Sequence, residues 1–211
     1  MLLNWLSESF STSYYILFLS AYLLGSVNFA ICICVLMGHP SPRTEGSFNP
    51  GATNVLRIAG KAPAILTLLG DIAKGIVPLI IAHVLHFSPF ALALTGFFAI
   101  FGHMFSIFLG FKGGKGVATS IGVLFLIDYR LGLAFLAMFF LSLAIWRFVS
   151  LSAMLGMIFA CVAGYFILPF QALICLALIS LLVIIKHHQN IARLLQGQEN
   201  KLGAKKKSPA S

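Results

Sequence analysis

The chain has 211 residues, a formal net charge of +9, 60% hydrophobic side chains and only 9% charged ones. A water-facing globular exterior needs about 25% charged residues, so a soluble domain is excluded and most of the surface must meet lipid. At about 20 apolar residues per crossing of a ~30 Å hydrocarbon core, the length supplies about seven helices and leaves no room for a separate soluble domain.

The first thirteen residues hold Glu8 but no Lys or Arg. The basic segment of a cleavable signal peptide is therefore missing, and the first apolar run reads as a retained helix. Apolar runs lie at about 14–37, 63–85, 90–110, 115–127, 131–146, 151–168 and 170–185. The fourth is short, which suits a tilted, thinned or partly re-entrant segment. Pro89, Asp128 with Arg130, and Pro169 mark tight connections on one side, whereas the other side collects twelve of the fourteen Lys and Arg residues. By the positive-inside rule, this bias puts the N-terminus outside and the C-terminus in the cytoplasm.

The expected fold is thus all-α: a polytopic integral membrane helical bundle of about seven transmembrane helices. Residues 1–195 form a single transmembrane catalytic domain, and residues 196–211 form a basic, disordered cytoplasmic tail that attracts anionic headgroups through Lys205, Lys206 and Lys207. No convincing internal duplication is present, which lowers the weight of an inverted-repeat transporter. Cys32, Cys34, Cys161 and Cys175 read as small apolar side chains rather than metal ligands or disulfides.

Polar residues in a membrane bundle mark sites by default, and three clusters share the basic side. The first runs from Arg43 to Arg57, where Gly46 and Gly51 allow close backbone approach and Ser47, Asn49, Thr53 and Asn54 offer hydrogen-bonding groups; such a loop can wrap an anion. The second is Lys112-Gly113-Gly114-Lys115-Gly116, directly before the fourth run. Its backbone N–H groups, the following helix N-terminus and two lysines suit a phosphate, although the Walker A spacing is absent. The third is Lys186-His-His-Gln-Asn190 at the end of the last run, where His187 and Asn190 share a helix face.

Smaller signals join them. Ser150 and Ser152 cap the sixth helix or face the shared site, and His103 stands out among Phe and Ile. Asp71 and Lys74, one turn apart, are expected to form an intramembrane ion pair. Zinc, nucleophile-elbow and dinucleotide motifs are absent. No His is followed five positions later by Asp, so the His-Asp dyad of many acyltransferases is missing. Carboxylates are too scarce on the basic side to suggest a divalent-metal site.

In this order the clusters resemble the PlsY family, membrane glycerol-3-phosphate acyltransferases that use acyl phosphate as donor. The matching stretches are Gly25-Ser26, Gly46-Ser-Phe-Asn-Pro-Gly-Ala-Thr-Asn54, Gly70-Asp-x-x-Lys-Gly75, Gly102-His-x-Phe105, Phe111-Lys-Gly-Gly-Lys-Gly-Val-Ala-Thr119, Ser150 and His187-x-x-Asn-Ile-x-Arg-Leu-Leu195. They cover the chain nearly end to end. Two departures are Phe48, where the family usually has Gly, and Ser41, where it has Asp.

The resemblance implies acyl transfer from acyl phosphate to the 1-hydroxyl of glycerol 3-phosphate, giving lysophosphatidate and phosphate in the first acylation step of phospholipid biosynthesis. The enzyme would be a multi-pass protein of the bacterial inner membrane with its active site on the cytoplasmic face. His187, Asn190, Lys112 and His103 are then the catalytic candidates. Ser47, Asn49, Thr53, Asn54, Arg57, Lys115, Gly113, Gly114 and Ser150 are the substrate-binding ones. Neither cofactor nor metal is implied, membrane lipid is the surrounding partner, no nucleic-acid partner is expected, and the protein is read as a monomer. The competing reading from the residues is a carrier for phosphorylated solutes; a lipid-phosphate hydrolase or headgroup transferase ranks lower because metal-binding carboxylates are missing.

Overall fold

The computed structural model describes residues 12–203, and among them every regular element is a helix. The first apolar run becomes α1 (Thr12–Ser26) and α2 (Phe29–Leu36), bent by 44° at the break between them. A helix break at membrane depth leaves carbonyl groups that lipid cannot satisfy. Here Ser106 Oγ donates to the Ser26 carbonyl at 2.6 Å and Lys74 Nζ to the Val27 carbonyl at 2.7 Å. Asn28 caps α2 by accepting from the Ile31 N–H at 3.0 Å, and its amide donates to the Pro50 carbonyl at 3.3 Å. The break is thereby tied to the polar segment that follows.

That segment, read from the sequence as a loop, contains a short helix, α3 (Ala52–Ile58). The remaining elements are α4 (Lys61–Val84), α5 (Pro89–Met104), α6 (Val117–Ile127), α7 (Tyr129–Trp146), α8 (Val149–Ile167), α9 (Phe170–Lys186) and α10 (His188–Leu195). A 3-10 turn at Ile107–Leu109 extends α5. Each of the seven apolar runs coincides with helix. Among the described residues, four segments are long and apolar enough to cross a membrane, Lys61–Val84, Pro89–Leu109, Tyr129–Trp146 and Val149–Ile167, and the total reaches six if α1 with α2 and α9 with α10 each count as one bent span. The 11 residues of α6 rise only about 16 Å at ~1.5 Å per residue.

Without a hydrophobic force between helices in lipid, close approach depends on small residues. A Cβ at Gly25 would lie 2.1 Å from the Ala99 carbonyl oxygen, and one at Gly102 would lie 2.2 Å from that of Tyr22. α1 and α5 therefore pack backbone to backbone. Leu131, Phe135, Met157, Leu176, Ile179 and Val183 of α7, α8 and α9 form the main core with Leu79, Ile100, Val123 and Leu124. Large apolar side chains such as Phe140, Tyr165 and Phe166 face outward, as a lipid solvent permits. The expected ion pair is formed: Lys74 Nζ lies 2.9 Å from Asp71 Oδ1, both side chains buried, with His103 Nδ1 3.7 Å from the same oxygen. All four cysteines are free.

Candidate active site

The alternation of the helices brings the segments before α4, before α6, before α8 and after α9 to one basic end. In the first of these, Asn54 is the hub: its Oδ1 accepts from the Ser47 N–H at 2.8 Å while its Nδ2 donates to the carbonyls of Pro42 and Glu45, both at 2.9 Å. The Asn54 amide is thus occupied in holding the loop closed. Gly46, at φ +69, is required beside it, because a Cβ there would sit 2.2 Å from Asn54 Oδ1. Ser47, Asn49 and Thr53 are half-buried on this frame, and Arg43 and Arg57 are exposed. Phe48 takes a positive φ of 58° and is exposed.

The Lys112–Gly116 segment folds back along the last turn of α5. The N–H groups of Gly113 and Gly114, expected to face an anion, are instead donated to the carbonyls of Met104 at 3.2 Å and His103 at 3.0 Å. What the two glycines supply is closeness: a Cβ on Gly113 would meet the His103 carbonyl oxygen at 2.0 Å, and one on Gly114 would meet the His103 ring at 2.2 Å. Lys112 is left exposed and Lys115 half-buried. The same fold-back explains why α6 is short, since it starts inside the bundle. His103 lies beneath this loop and above Asp71, a place that connects the loop to the buried ion pair.

The third cluster meets the second directly. Lys115 Nζ donates to Asn190 Oδ1 across 75 positions of sequence. His187, at the 56° bend between α9 and α10, has its Nδ1 2.7 Å from the Val183 carbonyl. A carbonyl only accepts, so Nδ1 carries the proton and Nε2 is left with its lone pair when the ring is neutral. Burial is the main cause that pushes His187 down to about 4, with the Lys115 charge acting the same way against the Val183 contact and Glu199. Lys186 is tied elsewhere, donating to the Met104 carbonyl at 2.8 Å and lying over the Phe105 ring.

Ser150 does not cap α8, whose N-cap is Phe148. Its hydroxyl donates to Glu199 at 2.8 Å, and the same carboxylate accepts from Asn190 Nδ2 at 2.6 Å and Arg193 Nε at 2.7 Å. Ser152 bonds back to the Phe148 carbonyl. Residues 196–203, the near part of the segment read as a tail, pack against the start of α8 through Leu202, whose N–H donates to the Arg147 carbonyl at 2.7 Å and whose carbonyl accepts from the Arg147 guanidinium at 3.0 Å. Residues 204–211, with Lys205 to Lys207, lie outside the described residues. Glu199 is the site residue that sequence reasoning missed; its one signal is a lone carboxylate in an otherwise basic stretch.

Lys115 is pushed down to about 8, first by burial and then by Arg193, with Glu199 opposing and Arg57 adding to the fall. Arg57, Lys115, Arg193, Glu199 and His187 therefore belong to one electrostatic neighbourhood built from α3, the loop before α6, α10 and the segment after it. Such a site can hold an anionic group, orient it with a hydroxyl and an amide, and offer an unprotonated imidazole nitrogen. An apolar groove of about 520 Å³ lies between α1 and α5, lined by Phe18, Tyr22, Phe98 and Phe101 among others. Its Tyr22 donates to the Phe105 carbonyl at 2.9 Å, next to Lys186.

Comparison with known proteins bears out the resemblance. The family model described as glycerol-3-phosphate acyltransferase matches residues 15–197. A glycerol-3-phosphate acyltransferase of Francisella tularensis subsp. novicida is 49% identical over 188 residues, 89% of this chain and 92% of that protein. One from Francisella philomiragia is 48% identical over the same length. Among solved structures, PlsY (YgiH), an integral membrane glycerol 3-phosphate acyltransferase, aligns in its glycerol 3-phosphate form with a TM-score of 0.86 and 38% identity, covering 90% of this chain and 96% of that one. Its lysophosphatidic acid form aligns with a TM-score of 0.84. With most of its length matched by the family model, and with a multi-pass apolar bundle beneath a basic site, the chain belongs to the glycerol-3-phosphate acyltransferase family.

Proposed function

We propose that this protein transfers a fatty acyl group from acyl phosphate to the 1-hydroxyl of glycerol 3-phosphate, releasing phosphate and forming lysophosphatidate. The observation that carries the reading is the contact between Lys115 and Asn190, which closes a basic, amide-lined site beside the charge of Arg57 at one end of an apolar bundle. Both substrates bear phosphate and one also bears a long acyl chain. A basic mouth at one end of an apolar bundle fits that pair of chemistries.

Acyl phosphate is a mixed anhydride with a good leaving group, so direct attack by the glycerol hydroxyl needs no enzyme nucleophile. In this scheme the C–O bond from hydroxyl to acyl carbon forms as the acyl–phosphate C–O bond breaks. The hydroxyl proton passes to His187 Nε2 or to a phosphate oxygen of the donor. A lone pair on Nε2, fixed by the Nδ1 contact to Val183, supports the first route. Arg57, Lys112 and Lys115 hold phosphate oxygens and stabilise the developing charge, Ser47, Asn49 and Thr53 orient the two substrates, and Asn190 and Ser150 set the position of the Lys115 ammonium and the wall beside it. Asn54, Gly113 and Gly114 shape the site, and His103 braces the Gly114 loop from below.

In the membrane the same reading assigns about seven crossings, with α6 a thinned or tilted one, the N-terminus outside and the basic end in the cytoplasm. The test is acyl transfer by purified protein in lipid, with labelled glycerol 3-phosphate and acyl phosphate, acyl-CoA or neither, each with chelator. Lysophosphatidate from acyl phosphate alone, undiminished by chelator, is the expected outcome. Product from acyl-CoA alone would replace the donor. No product, together with uptake of glycerol 3-phosphate into sealed vesicles, would favour a carrier.

A further inference from the structure

We infer that Glu199 is a positioning residue: its carboxylate holds Asn190, Arg193 and Ser150 so that the Asn190 carbonyl oxygen is aimed at Lys115. The inference rests on the acyltransferase reading for its kinetic consequence, though not for its geometry.

The argument begins with the amide. Asn190 contacts a carboxylate at Nδ2 and an ammonium at Oδ1. A carboxylate only accepts and an ammonium only donates, so the amide has one admissible orientation. If the carboxylate is removed, Nδ2 loses its acceptor and the amide is free to turn. Glu199 also takes the Arg193 guanidinium at 2.7 Å and the Ser150 hydroxyl at 2.8 Å. One side chain thus joins α8, α10 and, through Asn190, the loop before α6.

An anion seated among a hydroxyl, an amide and a guanidinium also has the look of an internal competitor for phosphate. The anchorage favours a strut. Three residues on, Leu202 is held to Arg147 through both its N–H and its carbonyl, at 2.7 and 3.0 Å, and Lys201 lies over the Phe148 ring. A group that must leave at every turnover would not be tied down immediately beside itself. The Glu199 side chain is only 6% exposed. Burial alone would raise its carboxyl, but the contacts from Asn190, Arg193 and Ser150 hold it below the usual carboxylate range, so it stays an anion throughout the working range.

The strut has an electrostatic signature. The groups bearing on Lys115 are Arg193, Glu199 and Arg57, with Asn190 in contact and His187 nearby. Of the charges, Glu199 is the one that favours the ammonium. Neutralising it leaves Arg193 and Arg57 unopposed, so Lys115 loses its proton at lower pH.

The experiment compares the full-length wild type with Glu199→Ala and Leu202→Pro in lipid nanodiscs. Leu202→Pro removes the N–H that anchors the segment and leaves the carboxylate in place, so it carries the test if Glu199→Ala does not fold. Two readouts are taken: steady-state kinetics with glycerol 3-phosphate, and the pH dependence of amine acetylation at Lys115 followed by mass spectrometry. The expected result for Glu199→Ala is a fall in kcat/KM of about tenfold or more and a labelling midpoint for Lys115 lower by about one pH unit. Leu202→Pro should move both in the same direction by less. Unchanged kinetics with an unchanged midpoint would overturn the inference, as would a rise in kcat/KM, which would make Glu199 a competitor. If wild type forms no product from any donor, the acyltransferase reading fails, while the labelling midpoint still decides the role of Glu199.

Discussion

Lys74 donates to the carbonyl of Val27, 47 residues earlier in the chain, at 2.7 Å, and its charge is balanced by Asp71 at 2.9 Å. The pair repairs the break between α1 and α2, and the repaired break carries Asn28, whose amide reaches the loop above. A buried ion pair is costly to half-remove. Asp71→Asn should lower stability by about 3–5 kcal/mol because it leaves a buried ammonium uncompensated, measured as thermal unfolding in detergent. A melting temperature equal to wild type would show that the pair contributes little.

The loop frame gives a prediction with an internal control. Gly46 and Gly38 both have positive φ, +69 and +70, but a Cβ at Gly46 strikes Asn54 Oδ1 whereas one at Gly38 meets nothing within 4 Å. Both alanine variants carry a backbone cost of about 1 kcal/mol. Only Gly46→Ala should displace the Asn54 amide, so its acyl transfer is expected to fall by about tenfold or more while Gly38→Ala stays near wild type. Equal activities in the two variants would sever the link between loop closure and the site.

Charge at the site is tested by deletion. Arg57→Ala, Lys112→Ala and Lys115→Ala should each leave a folded protein and reduce kcat/KM by about a hundredfold, the scale of losing one preorganised donor to a developing oxyanion. Near-normal turnover in Arg57→Ala or Lys112→Ala would remove that residue from the machinery.

The pH profile follows from Lys115. With its ammonium lost near pH 8, activity should decline as pH rises through that value, because the deprotonated amine no longer holds an anion. Lys115→Arg should carry the alkaline limb to higher pH, since a guanidinium keeps its proton. A limb that stays in place in Lys115→Arg would assign it to another group.

Much of the fold was legible because lipid imposes a simple rule on sequence: apolar runs become helices, and the polar and turn residues between them mark where each helix stops. The three polar clusters were legible for the same reason, as polar side chains stand out against an apolar background. Bonding within the clusters was not. Asn54 looks like a ligand group in sequence, and only the fold reveals that Ser47, Pro42 and Glu45 use its amide. Gly113 and Gly114 suggest free N–H groups, yet the return of the loop onto α5 consumes them. Glu199 escaped notice because its partners Ser150, Asn190 and Arg193 lie on α8 and α10, and the fold-back that joins them is held by a backbone contact from Leu202 to Arg147, which leaves no mark on composition.

The contact between Lys115 and Asn190 also bears on when the protein becomes competent. Its two halves are 75 positions apart, and Asn190 follows the last long helix. A chain that ends before α9 lacks Leu176, Ile179 and Val183 from the main core and has no amide to set against Lys115. Turnover should therefore be silent during synthesis and begin only once α9 and α10 are inserted, so that half-built chains leave the substrate pool untouched.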